Sequence, residues 1–256
     1  MNRSRRQKMI MELMKVNGQV SSKELAEEFN VSTMTVNRDL NELAREGKLN
    51  LIHGGAEAIE TDKIEYPMSI KELTQINEKQ AIGKFCDKLI KPDTSVFIEA
   101  GTTTLAAAKE IYDKENCTFF TNSLLVMNIL SKYEQIDLHT VPGQYRELSQ
   151  GFLGIKTAEY VKNYNFDYCI VGAEGIGIQS GVSLIDEDDA MTKIAVMKQS
   201  KCKILVVDSS KFTKQYMYKI GEVSDFDYII TDNQVCESVY KEMKEKTNFI
   251  VVNATD

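Results

Sequence analysis

This chain of 256 residues carries 38 acidic against 31 basic side chains, a net of −7, with 43% hydrophobic and 27% charged content. That balance is typical of a soluble globular protein and excludes a fibrous or disordered one. No stretch approaches the ~18 apolar residues of a membrane span. The N-terminal apolar run MIMELMKV is cut by Glu12 and Lys15, so no signal peptide and no membrane association are expected. Five cysteines (86, 117, 169, 202, 236) never form CxxC and there are only two histidines, so neither metal nor cofactor is expected. Reduced thiols buried in apolar segments point to the cytoplasm.

The length suits two domains. Residues 1–57 are expected to form the first, 58–74 a linker containing Pro67, and 75–256 the second. The first opens with a helix from Arg5 to Val16, with Ile10, Leu13 and Met14 facing inward, stopped by Gly18. Ser21 then starts a second helix, SSKELAEEF, and Glu24 three positions on completes a capping box. Asn30 and Val31 make a short turn. The next helix lies in VSTMTVNRDLNELAREG (31–47), with Ser32 as N-cap and Gly47 as stop. Val36, Leu40 and Leu43 form one apolar stripe, which turns Met34, Asn37, Arg38 and Asn41 to the opposite side, with Thr35 at its edge. The alternating run KLNLI follows, with Leu49, Leu51 and Ile52 as a small wing closed by a Gly54-Gly55 turn.

A helix, a short turn and a capped helix are the plan of a helix-turn-helix, whose second helix enters the DNA major groove. Residues 1–56 hold nine Lys/Arg and seven Asp/Glu, a net of +2, which leaves −9 for residues 57–256. A basic tip on an acidic body favours docking on phosphates through that tip. The residues expected to meet double-stranded DNA are Ser32, Thr33, Met34, Thr35, Asn37, Arg38 and Asn41. Arg3, Arg5 and Arg6 upstream and His53 in the wing complete the set.

The motifs VS-x-x-TV-x-RDL-x-x-L (Val31–Leu43) and HGGA (His53–Ala56) resemble the DNA-binding half of the DeoR family of bacterial transcriptional regulators. The chain departs from that pattern at Asn37, where the family has Arg, and at Asn50, Leu51 and Ile52, where it has a basic wing. Asn suits adenine, which it pairs bidentately, and Arg suits guanine, so the operator is expected to differ at the position Asn37 meets.

A helix is expected over Ile70–Ile90, ended by Pro92. Strands and helices then alternate. The strands are TSVFI (Thr94–Ile98), CTFF (Cys117–Phe120), IDLHTV (Ile136–Val141), FDYCIVG (Phe166–Gly172), CKILVVD (Cys202–Asp208), YIITD (Tyr228–Asp232) and NFIVV (Asn248–Val252). Helices are expected over Leu105–Tyr112, Leu124–Ser131, Asp188–Gln199 and Gln234–Lys246. The alternation implies an α/β fold with a mostly parallel, Rossmann-like sheet, whose ligands sit beyond the strands' carboxyl ends. EAGTTTL, at one such end, sets a glycine and three hydroxyls at a helix N-terminus, where an anion is welcome.

EK-x-x-I (Glu78–Ile82), GTTT (Gly101–Thr104), TN (Thr121–Asn122) and D-x-SK-F (Asp208–Phe212) resemble the sensor domain of the same family. That domain is related in fold to ribose-5-phosphate isomerases, and its members typically sense phosphorylated sugars. The resemblance implies that Gly101, Thr102, Thr103 and Thr104 hold a phosphate. It implies that Thr121, Asn122, Lys193, Asp208 and Lys211 line the sugar, and Glu174, at a neighbouring strand end, is expected to bind the effector with them. The expected function is therefore a ligand-controlled repressor of a sugar-metabolism operon, a homodimer or homotetramer and not an enzyme. The alternative is a sugar-phosphate isomerase with a fused DNA-binding tail, using Glu99, Glu174 or Asp208 as its acid.

Overall fold

The computed structural model describes residues 3–58 and 65–254, and the chain divides into two compact units, Met1–Thr74 and Gln75–Asp256. The rest of the expected linker, residues 59–64, lies outside the described residues.

The first unit runs α1 (Arg3–Asn17), β1 (Gln19–Ser21), α2 (Ser22–Glu28), α3 (Thr33–Arg45), β2 (Leu49–Ile52), β3 (Gly55–Ala58) and α4 (Met68–Lys71). The serine caps work as the residue types suggest, but only the Ser21 half of the expected capping box is made. Ser21 accepts from the Lys23 and Glu24 backbone N–H groups, and Ser32 accepts from Thr35. Asn30 adopts the left-handed conformation in the turn between α2 and α3, at φ 51. Val36, Leu40 and Leu43 are buried with Ile10, Met14, Leu25 and Leu49 in one core.

The wing differs from expectation in two respects. It has three antiparallel strands in the order β1-β3-β2, because Gln19–Ser21 pairs along β3. Its tip is His53-Gly54, not Gly-Gly. Gly54 takes the positive φ of the turn, whereas Gly55 is already in β3 opposite Ser21. A Cβ on Gly55 would stand 1.9 Å from the Val20 carbonyl oxygen, so that position is glycine to admit the third strand. Gly55→Ala is accordingly expected to destabilise the first unit by about 1–3 kcal/mol, read as a lower melting temperature. A melting curve identical to the parent would refute that close approach. Leu51 and Ile52 do not join the core: only Leu49 of β2 is buried.

The helix expected over Ile70–Ile90 is split. α4 ends at Lys71, Gln75 takes φ 52, and α5 (Ile76–Leu89) begins in the second unit. A residue in the left-handed conformation cannot continue the i→i−4 ladder. Helix α4 packs against α1.

The second unit continues β4 (Ser95–Ile98), α6 (Thr102–Glu110), β5 (Thr118–Thr121), α7 (Leu124–Leu130) and β6 (Asp137–Thr140). A hairpin follows, β7 (Gln144–Arg146) and β8 (Gly151–Leu153), then α8 (Ile155–Val161), β9 (Phe166–Val171), β10 (Gly175–Gly177) and β11 (Gly181–Leu184). The chain closes with α9 (Glu187–Lys198), β12 (Ser200–Val206), β13 (Tyr218–Gly221), β14 (Tyr228–Asp232), α10 (Glu237–Lys244) and β15 (Asn248–Val252). The seven expected strands form one sheet in the order β15-β14-β12-β9-β4-β5-β6, parallel throughout. Continuous β-branched and aromatic runs suit strands buried on both faces. Phe97, Phe120, Cys169 and Leu205 pack towards one layer. Val96, Ile98, Phe119, Ile170 and Ile204 pack into the other. The β7–β8 hairpin and the small antiparallel sheet β10-β11-β13 are additions that the alternation did not announce.

Strand order places the crevice. From β4 the chain winds outward through β5 to β6, then returns to lay β9 on the other side of β4 and winds away through β12, β14 and β15. The winding reverses between β4 and β9, and ligands of open parallel sheets bind at such a reversal.

Candidate functional site

In the first unit, α3 presents Met34, Asn37, Arg38 and Asn41 to solvent, as its stripe requires, with Thr35 half-buried at the edge. Met34 is 74% exposed on that face. Among the described residues nothing pairs with Arg38. Asn37 is not free on both edges: its Oδ1 accepts from Ser22 Oγ at 2.7 Å. Ser22 on α2 therefore orients the amide, and the Nδ2 donor is the group left for a partner, in place of the bidentate adenine pairing expected above. Asn41 donates through Nδ2 to the Asn37 carbonyl at 2.6 Å, which leaves its Oδ1 as an acceptor. Ser32 and Thr33 are exposed at the N-terminus, and the Ser32 and Thr35 hydroxyls lie 2.9 Å apart. His53 is exposed at the wing tip.

The arginines upstream divide. Arg5 is exposed, whereas Arg6 is only 7% exposed, and its guanidinium Nε donates to the Asp39 carboxylate, itself 1% exposed. Arg6 is thus withdrawn from the residues available to phosphates. Arg3 pairs with Glu42 and lies 3.8 Å from Asp39, and Gln7 donates to Glu42 at 2.6 Å. These contacts tie α1 to α3. Arg6, Ile10 and Met14 recur four apart on one face of α1, which is the signal that places Arg6 inside; its proximity to other basic residues masked it.

In the second unit, Glu99, Ala100 and Gly101 link β4 to α6 beside the reversal. Gly101 caps α6, whose first-turn N–H groups have no intrahelical acceptors and carry the positive end of the helix dipole. Thr102 is half-buried and Thr103 buried in that turn. Thr104 is turned away: its hydroxyl donates to the Glu99 carbonyl at 2.6 Å and approaches that of Gly101 at 2.9 Å. It closes the turn, which corrects its expected role as a phosphate donor. Thr121 is likewise structural, fully buried, donating to the Ile98 carbonyl and accepting from the Ser123 N–H.

Asn122 is buried one residue beyond β5, its Nδ2 donating to the Phe152 carbonyl at 3.2 Å. Lys193 on α9 is 3% exposed, with Nζ 3.1 Å from Glu99 and 3.2 Å from Asp189. Burial opposes the charge of Lys193, yet Asp189, Glu99 and Glu174 hold its ammonium above the ordinary lysine range. Burial also pushes the Glu99 carboxyl up to about 8, against the pull of Lys193. Glu174 accepts from the Ile185 N–H at 2.9 Å. Asp208 caps the 3₁₀ turn Ser209–Lys211 through the Ser210 N–H, and Lys211 is half-buried on that turn. Asp208 and Lys211 follow β12, two strands from β4, at the same carboxyl edge of the sheet.

The DeoR-like helix-turn-helix domain matches residues 6–62, and the DeoR C-terminal sensor domain matches residues 74–233. The glycerol-3-phosphate regulon repressor of Escherichia coli (strain K12) is 34% identical over 232 residues, 91% of this chain and 92% of that one. The lactose phosphotransferase system repressor of Lactococcus lactis is 32% identical over 253 residues, 98% of this chain and 99% of that one. Ribose 5-phosphate isomerase A of Methanocaldococcus jannaschii aligns over 53% of this chain and 54% of that one at 19% identity, with a TM-score of 0.39, too slight to bear on chemistry. With both domain families matched in order and relatives aligned from end to end, this chain belongs to the DeoR family of DNA-binding transcriptional regulators.

Proposed function

We propose that the protein represses a sugar-metabolism operon and is released from its operator when a phosphorylated sugar occupies the second unit. The observation that carries the reading is the outward face of α3, where Met34, Asn37, Arg38 and Asn41 are solvent-exposed on a helix anchored from behind by Val36, Leu40 and Leu43. The phosphate is proposed to sit on the N-terminal turn of α6, against Gly101, Thr102 and Thr103, with Asn122, Lys193 and Lys211 facing the sugar. Two recognition helices must lie about one helical turn apart on a two-fold site, so the working form is proposed to be a homodimer or homotetramer. A protein that acts on DNA and metabolites of the cell interior is proposed to reside in the cytoplasm; no helix among the described residues is long and apolar enough to cross a membrane.

A sensing role without catalysis is supported by how the strand-end acids are engaged. Glu99 faces Lys193, Glu174 accepts from a backbone N–H, and Asp208 caps a turn. The test is a gel shift on the protein's own upstream region, titrated with a panel of sugar phosphates. One member should weaken binding; a hundredfold preference for the released state corresponds to about 2.8 kcal/mol. Release by no member would sink the sensing role, and turnover of a sugar phosphate at ordinary rates would sink the non-catalytic one.

A further inference from the structure

Ser22, 4% exposed, reaches the outward face of α3 from behind. It stands at the start of α2, and two contacts fix it. Its N–H donates to the Gly54 carbonyl in the wing turn at 2.8 Å. Its hydroxyl donates to Asn37 Oδ1 on α3 at 2.7 Å, across 15 positions of sequence. An amide oxygen that answers a buried hydroxyl is turned into the protein, which leaves Nδ2 as the polar atom that Asn37 offers to solvent. Asn41, one turn further along α3, is held in the opposite sense. Its Nδ2 donates to the Asn37 carbonyl at 2.6 Å, so its Oδ1 is the atom left over. The two amides of this face are therefore not interchangeable as readers of a base.

Bidentate pairing with adenine needs both amide atoms at once, since the base presents the N7 acceptor beside the N6 amino donor. Asn37 has only its donor to give. Guanine presents two acceptors, N7 and O6, side by side, and an amide NH2 with two hydrogens can serve both. Thymine offers the single acceptor O4. Adenine sets its amino group against the Asn37 donor, and cytosine offers nothing but an amino donor. We infer that Ser22 is a positioning residue for base recognition: by holding Asn37 Oδ1, it makes Asn37 a donor-only reader that selects guanine over adenine in the major groove. Ser22 acts through Asn37 and not on the duplex, because it is buried behind α3. The inference rests on α3 as the reading helix, as proposed above. It adds which base one side chain of that helix selects, and which residue of another helix sets the choice.

The test uses the full chain and in vitro selection from a pool of random-sequence duplexes, followed by competition binding to single-base variants of the selected duplex. The position that Asn37 meets is the one at which Asn37→Ala, a change to an exposed side chain, abolishes discrimination. There the parent should favour guanine over adenine by on the order of tenfold. Ser22→Ala frees Oδ1 to accept from adenine N6, so that ratio should fall to unity or invert. Preferences at all other positions should stay as in the parent. Ser22→Cys keeps the packing volume but donates only weakly, and should move the ratio the same way. A merely structural role for Ser22 would weaken every duplex alike and leave the ratio untouched, and that result refutes the inference. A parent that prefers another base at this position refutes it too, as does Asn37→Ala altering no position; both leave α3 free to read through Arg38. If the parent selects no sequence from the pool, α3 as the reading helix fails and the inference with it.

Discussion

Asp39→Ala is expected to unfold the first unit at temperatures where the parent is fully folded. Its carboxylate is 1% exposed inside α3 and receives the buried guanidinium of Arg6 from α1. Removing the acid leaves the buried Arg6 guanidinium without the carboxylate that faces it. Breaking one side of a buried pair costs about 3–5 kcal/mol, because the remaining charge has lost both water and its partner. Small domains hold only about 5–15 kcal/mol in total, and one this short belongs near the low end. Circular dichroism melts should show the first unit unfolding early while the sheet of the second is retained. Replacing both partners, with Arg6→Met and Asp39→Leu, should restore much of the loss, since a well-packed apolar pair can substitute for an ion pair. A melting curve of Asp39→Ala within about 1 kcal/mol of the parent would show that the pair carries no such weight. Any loss of DNA binding in Arg6→Ala is then expected to follow from unfolding and not from a missing phosphate contact.

Arg38→Ala should have the opposite profile, a large loss of operator recognition with an unchanged melt. Arg38 is exposed on α3 and pairs with nothing among the described residues, so truncating it removes no contact that supports the fold. A guanidinium reading a base edge contributes about 1–3 kcal/mol of discrimination, and each recognition helix of an oligomer loses it separately. Competition gel shifts should show operator affinity falling towards that for unrelated DNA, with the salt dependence little altered. A uniform loss on all sequences, with a shallower salt slope, would instead place Arg38 on a phosphate. Unchanged operator binding would mean that α3 is not the reading helix.

Much of the first unit was legible because its signals are local. The Ser21 and Ser32 caps, the stripe Val36–Leu40–Leu43 and the stop at Gly47 all appear as read. The outward face follows from the stripe by helical geometry alone. Arg6 stands among basic residues that suggest a phosphate contact, but its spacing with Ile10 and Met14 puts it inside. The third wing strand, Gln19–Ser21, is too short to show a period and exists only because β3 pairs with it. In the second unit all seven sheet strands were legible from their β-branched runs, but the roles of Thr104 and Thr121 were not. A threonine that closes its own turn and one that could face a ligand have the same sequence signature.

Composition, periodicity and end-caps act over a few residues, and a single chain determines them without knowing its fold. They sufficed here for a helix-turn-helix followed by an α/β sheet, and for a strand-to-helix turn at Gly101. Which elements lie side by side is a different matter, since it depends on packing between segments far apart in the chain. Only the tertiary structure decided that the winding reverses between β4 and β9. Only it brought Lys193 to Glu99 across 94 positions of sequence, and held Phe152 of an unforeseen hairpin against the Asn122 carbonyl. Burial, which turns an arginine among basic neighbours into a core ion pair, is a property of that assembly and not of any residue in it.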